Sequence, residues 1–214
     1  MAATAGRRQA SSAAAAVLTI MCAAACSPTP PGPDAYAATI SSARAAKDEF
    51  LRTAKDSPIP PEQRAAMLPL PYFPPDEAWS APAALEPSDP SMQSNVEMPT
   101  STGDRRSMRR VGVLSFTLQG RQLRLSAFVE ADAPSMDRLF VPFADETSGK
   151  ETYAAGRYLD LDRTATNIYL VDFNRAYNPY CAYNPKYDCP YPPRENHLPL
   201  AIRAGERAPV VAAH

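Results

Sequence analysis

The clearest alternation of apolar and polar positions runs from Met108 to Glu130. Val111, Val113 and Ser115 alternate with Gly112, Leu114, Phe116 and Leu118, and beyond Gln119-Gly120 the residues Leu123, Leu125, Ala127 and Val129 alternate with Arg124, Ser126, Phe128 and Glu130. A period of two predicts two strands, and the Gln-Gly pair predicts the tight turn that joins them. Each strand has one apolar face and one mixed face, which suits a curled antiparallel sheet or partial barrel. Leu139, Val141 and Phe143 predict a third strand whose Pro142 belongs at an edge or bulge, because proline has no N–H to give a ladder. Asp145 to Lys150 reads as a turn and Thr152 to Leu159 as a short strand, with Gly156 marking a bulge or a close backbone approach. Ile168 to Asn174 is a further strand that puts Tyr169, Val171 and Phe173 on one face, and Leu198 to Ile202 reads as an edge strand.

Upstream the period changes. From about Ala37, residues Ile40, Ala43, Lys47, Phe50 and Leu51 recur on one helical face, with Asp34 before them and Ser57-Pro58 beyond, so a helix is expected with Phe50 and Leu51 as its packing contacts. Pro61 to Met67 predicts one or two helical turns. Leu68 to Leu85 reads as irregular chain lying on the domain, and Glu86 to Arg106, poor in large apolar residues, as a mobile loop. The fold class is α+β: a mainly antiparallel, strongly curved sheet or partial barrel, an N-terminal helix and a long loop rich in proline and tyrosine.

That loop follows the Ile168 strand. Between Asn178 and Pro193 come Asn-Pro, Asn-Pro, Cys-Pro and Tyr-Pro-Pro, and each proline fixes φ and drives its predecessor towards extended geometry. Tyr177, Tyr180, Tyr183, Tyr187 and Tyr191 supply apolar area to hold such a stiff loop down and hydroxyls to satisfy its backbone.

Composition adds an address. The 214 residues carry a formal charge of -1, with 24 Pro and 45% hydrophobic residues, enough for one core and without the basic field that nucleic acid would require. Arg7-Arg8, the apolar run Ala13 to Ala25 and Ala23-Ala24-Ala25-Cys26 have the layout of a signal peptide, and a cysteine right after small residues resembles a bacterial lipoprotein signal with Cys26 as the acylated site. On this reading residues 1–25 are a signal peptide, 26–36 a Pro-rich spacer and 37–210 one globular domain. The protein is then exported and held on the membrane of the cell envelope by a lipid anchor, the alternative being a secreted or periplasmic form.

Two blocks carry a family resemblance: Pro142 to Leu159, PFADETSGKETYAAGRYL, and Val171 to Glu206, with its run Asn-Pro-Tyr-Cys-Ala-Tyr-Asn. They resemble the hallmark blocks of an uncharacterised bacterial family, domain of unknown function DUF1684. The resemblance implies membership and no agreed activity. It also implies a domain whose task does not depend on a lipid anchor, since members of the family look cytosolic in some cases and exported in others.

Candidate chemistry is sparse. Cys181 and Cys189, in an exported chain, are read as a disulfide, with free buried thiols or a metal site completed by His197 as the alternatives. No cofactor is expected: the glycines are scattered, and two histidines, one of them the last residue, cannot build a multi-histidine centre. A candidate pocket is drawn from the polar residues of the two blocks: Tyr153, Arg157, Asp172, Asn174, Asn178, Arg194, Glu195 and Asn196. Arg157 would clamp an anion, Asn174 or Asn178 would orient a polar ligand, and Glu195 would serve as acid or base. Three functions follow: a module binding a small ligand or envelope component, an enzyme of unassigned, hydrolytic-type reaction using Glu195 and Arg157, or a structural envelope protein with no ligand site.

Overall fold

The computed structural model describes residues 1–2, 32–89 and 95–210. The described residues from Gly32 onward form one unit. Helix α1 (Pro33–Thr53) starts inside the stretch read as spacer, with proline in its first turn, Asp34 at the positive end of its dipole and Arg52 at the negative end. It buries Ile40, Asp48 and Leu51 and leaves Phe50 exposed, so Phe50 is not the packing contact that the helical pattern predicts. A 3-10 turn (Pro61–Gln63) and the short helix α2 (Arg64–Met67) follow, and Leu51, Ile59, Met67, Leu70 and Tyr183 make a cluster between α1 and the proline–tyrosine loop.

The rest is sheet. Strands β1 (Ser80–Pro87), β2 (Asn95–Pro99), β3 (Arg105–Leu118), β4 (Arg121–Glu130), β5 (Arg138–Asp145), β6 (Arg157–Asp162) and β7 (Ile168–Asp172) are joined by the two-residue β8 (His197–Leu198). The spatial order is β6-β5-β4-β3-β1-β7, with β2 added on β3 and β8 on β5. All of the pairings are antiparallel except β5 with β8. The predicted hairpin is β3–β4, with Leu118 opposite Arg121 and positive φ at both Gln119 and Gly120, the geometry a two-residue hairpin turn requires. A bulge between Arg110 and Gly112 bends β3, and Gly112 lies so close under β1 that a Cβ there would meet the backbone oxygen of Glu86. The two ends of the strand order return beside each other, tied by reciprocal N–H···O bonds of 2.9 and 3.0 Å between Tyr158 and Tyr177. The result is a curled, incompletely closed barrel around Leu114, Leu125, Val141, Phe143, Val171, Phe173 and Ile202.

Four segments differ from expectation, the first being the short strand read at Thr152 to Leu159, which is displaced to β6 (Arg157–Asp162). β1 runs through the stretch read as irregular, β2 and the start of β3 lie in the stretch read as a mobile loop, and the predicted edge strand Leu198 to Ile202 shrinks to β8. Pro142 behaves as its chemistry requires. β4 and β5 pair only at Phe128 opposite Phe140, and the gap beside Pro142 is filled by the side chain of Asn196. Its amide accepts from Ser126 N (2.7 Å) and donates to the carbonyls of Ser126 (2.9 Å) and Pro142 (2.7 Å), standing in for a missing stretch of ladder.

Candidate functional site: an aromatic cleft beside a buried carboxylate

The residues expected to form a pocket do not converge. Arg157 has no exposed surface. One terminal nitrogen donates to Asp145 Oδ2 and the Ile202 carbonyl, both at 2.9 Å; the other donates to the Glu206 carbonyl at 3.1 Å and to that of Ala204. Burial pulls its pKa below the ordinary guanidinium value while the Asp145 carboxylate pulls it back up. Arg157 is therefore a strut between β6, the end of β5 and the C-terminal segment, sealed from any ligand. Glu195 lies on the surface beside Arg110, and Arg194 is exposed. Asp172 and Asn174 are buried under α1, where Asp172 Oδ1 accepts from Tyr36 (2.8 Å) and Asn174 bridges Tyr36 and the backbone of Asp76. Asn178 donates to the Arg207 carbonyl (2.8 Å) and Asn196 bridges β4 to β5.

The cysteines also differ from expectation. Cys181 and Cys189 are free and buried, so the disulfide read from their spacing is corrected. The Cys181 amide donates to Cys189 Sγ (3.3 Å) and the Tyr153 hydroxyl reaches Cys181 Sγ (3.8 Å), and the loop is held by these and other packing contacts without a crosslink. A hydrogen bond from the Cys189 thiol brings the Cys181 thiol down to about 6, and the same bond, with burial, pushes Cys189 up. The metal alternative has no support in the geometry: His197 is exposed on β8, and no group of three suitable ligands exists among the described residues.

Two features were not legible as a site. Glu206 is almost wholly buried, with Oε1 on Lys47 Nζ (2.5 Å) and Oε2 accepting from the Asn178 amide (2.8 Å) and the Tyr183 hydroxyl (2.6 Å). Gly205 makes this possible: at φ +75 it runs against the carbonyls of Phe173 and Ala176, where any Cβ would collide at 2.6 Å. Above Lys47 opens a cleft of about 940 Å³. Its walls come from the end of α1 (Lys47, Phe50), from β3 and β4 (Arg106, Met108, Val129), from the 131–137 turn, from β5 and β6 (Phe140, Tyr158, Asp160) and from the proline–tyrosine loop (Tyr177, Tyr180, Tyr187). Phe140 meets Tyr158 edge to face at 4.7 Å, Tyr158 meets Tyr177 at 5.8 Å, and Lys47 Nζ lies 5.0 Å from the centre of the Tyr177 ring. Burial, then Asp160, raises the pKa of Tyr177, so its hydroxyl stays protonated and donates to Asp160 Oδ2 at 3.0 Å. The tyrosine run was the sequence signal; its partners Lys47, Arg106 and Asp160 carried none, because only the curl of the sheet brings them together.

Comparison with known proteins places this geometry. The model of a protein family of unknown function, DUF1684, matches residues 66–207. The chain belongs to that family. No curated protein matches it. Among solved structures, the uncharacterised protein from gene locus rrnAC0354 of Haloarcula marismortui, determined by solution NMR, is similar at 37% identity with a TM-score of 0.63, over 79% of this chain and 92% of that one. This similar protein is archaeal, so the narrower description of the family as bacterial is not supported.

The same relative overturns the membrane anchorage read from the N-terminus. A protein sharing this fold over 92% of its length was solved in solution, so the fold needs neither a bilayer nor a lipid anchor, and the exported, membrane-anchored envelope lipoprotein is not upheld. Among the described residues no helix is long and apolar enough to cross a membrane, and Cys26, the expected acylation site, lies outside them.

Proposed function

We propose that this DUF1684 domain binds a small molecule in the cleft between α1, the rim of the barrel and the proline–tyrosine loop. The observation that carries the reading is the cleft itself: at about 940 Å³ it falls within the usual size of ligand sites, roughly 300–1,000 Å³. Its walls combine aromatic and aliphatic side chains with charged groups that can orient a ligand, the two ingredients such sites use. The site is not the one expected around Arg157 and Asn174, and the reading involves no membrane. The enzyme alternative built on Glu195 and Arg157 draws no support, because Arg157 is sealed in the core and Glu195 sits at the surface on Arg110.

Ser135 is an exposed residue of the cleft wall, so Ser135→Trp should fill the opening without disturbing the core. A library of small aromatic fragments, screened on the full chain by saturation-transfer NMR, should give binders that weaken by roughly tenfold or more in Ser135→Trp, the loss expected when a pocket is occupied by its own side chain. If nothing binds, or if every binder is indifferent to Ser135→Trp, the reading falls and the domain is structural.

A further inference from the structure

Resting on that binding reading, we propose that the cleft selects an organic cation, an ammonium group on a flat apolar body, with the Asp160 carboxylate as counter-ion and the adjoining tyrosine rings as the surface it lies against. The charges of the cleft carry this. Each lining cation already has an anion: Lys47 is neutralised by the buried Glu206, Arg106 holds Asp188 at 3.2 Å, and Arg138 holds Asp162 at 3.3 Å. Asp160 has none within ion-pair distance among the described residues, and its hydrogen-bond partner is the neutral hydroxyl of Tyr177. Asp137 on the same wall likewise forms no ion pair there. The lining therefore holds four carboxylates against three cations, and of the two without an ion pair Asp160 sits at the hydroxyl of Tyr177.

An aromatic face attracts a cation through its quadrupole, and a carboxylate at the edge of the same surface adds a directional charge. One such contact is already made within the chain, by Lys47 over Tyr177. The crowded wall raises the pKa of Asp160 by desolvation, with Tyr177's hydrogen bond and the more distant Arg138 acting against it. A bound cation would offset that penalty by charge attraction, whereas a bound anion would add repulsion to it.

Three probes of nearly equal shape separate the outcomes by isothermal titration on the full chain: 2-phenylethylammonium, 2-phenylethanol and 3-phenylpropionate. The ammonium should bind best. Asp160→Asn should weaken it by about fivefold, the scale of an exposed charge contact, and leave the neutral alcohol unchanged, and Asp160→Glu should restore it. Equal binding of all three probes, or preference for the carboxylate, overturns the cation assignment and leaves the binding cleft standing. Failure of every probe, together with a fragment screen that finds no binder in the cleft, removes both.

Discussion

Removing Arg157 separates a strut from a ligand clamp. Arg157→Met keeps most of the apolar volume of the side chain and deletes the guanidinium. Four bonds go with it, to Asp145 and to the carbonyls of Ile202, Ala204 and Glu206. Asp145 would keep the Thr147 amide (2.8 Å), the Thr147 hydroxyl (2.6 Å) and the Ile202 amide (3.2 Å) on Oδ1, but its charge would be left in the core without a cation. Breaking a fully buried pair on one side costs about 3–5 kcal/mol, set against a total stability of about 5–15 kcal/mol. For a chain of this size that is a fall in Tm of roughly 10 °C.

Urea unfolding followed by circular dichroism measures the effect directly. Asp145→Asn in the Arg157→Met background removes the stranded charge while keeping an oxygen for the three donors, so it should return about 1–2 kcal/mol. The same Asp145→Asn change alone should destabilise. A loss below about 1 kcal/mol for Arg157→Met would refute the strut, because deleting one partner of a fully buried ion pair costs more than that. Loss of ligand binding at unchanged stability would revive the clamp.

Two further outcomes are expected. Asn196→Ala leaves the Ser126 amide and the carbonyls of Ser126 and Pro142 without their partner in the β4–β5 gap, and should cost about 2–3 kcal/mol in the same urea assay, whereas an exposed asparagine would cost almost nothing. The thiol pair should show one thiolate by ultraviolet absorbance near pH 6 and none further until well above the ordinary thiol range. Lowering the Cys181 pKa adds stability that is complete above its unfolded value near 9 and is lost as pH falls through about 6, while the raised Cys189 makes stability decline again above that unfolded value. Two thiols titrating together at the ordinary value would contradict the shared hydrogen bond.

What the sequence made legible was whatever depends on neighbours along the chain. The β3–β4 hairpin follows from alternation on both sides of Gln119-Gly120, and the helix from a mainly apolar stripe, Ile40 to Leu51, ending before Ser57-Pro58. β1 was obscured by its small residues and by Pro82, yet Ala81, Ala83 and Leu85 point inward in turn, and Pro82 is tolerated because the β1–β3 register begins only at Ala83. Fate across the chain was not legible. Arg157 takes its partners from Asp145, Ile202, Ala204 and Glu206, and a guanidinium in a core and one in a pocket have the same local sequence. Asp172 ends a strand whose outward Ile168 and Leu170 are exposed and Asn174 lies in the turn just after it, but helix α1, arriving from more than a hundred residues upstream, covers the two polar groups. Spacing between Cys181 and Cys189 speaks of a crosslink only if the loop has no other restraint, and here tyrosine packing supplies one.

Helix α1 also shows why the family span is smaller than the unit that makes the site. The match begins at residue 66, whereas Lys47, which neutralises Glu206, and Asp48, which accepts from the Leu70 amide at 3.1 Å, lie before it. Without α1, Glu206 would stay within the barrel's C-terminal segment with two hydrogen bonds and no cation, and a lone buried carboxylate costs several kcal/mol. The cleft would also lose the wall that Lys47, Phe50 and Leu51 provide. The segment that stabilises the buried carboxylate is therefore the segment that shapes the opening above it. Relatives that share the barrel and the proline–tyrosine loop but differ ahead of the matched span would keep the aromatic floor and change the rim, so ligand preference within the family should follow the helix more closely than the hallmark blocks.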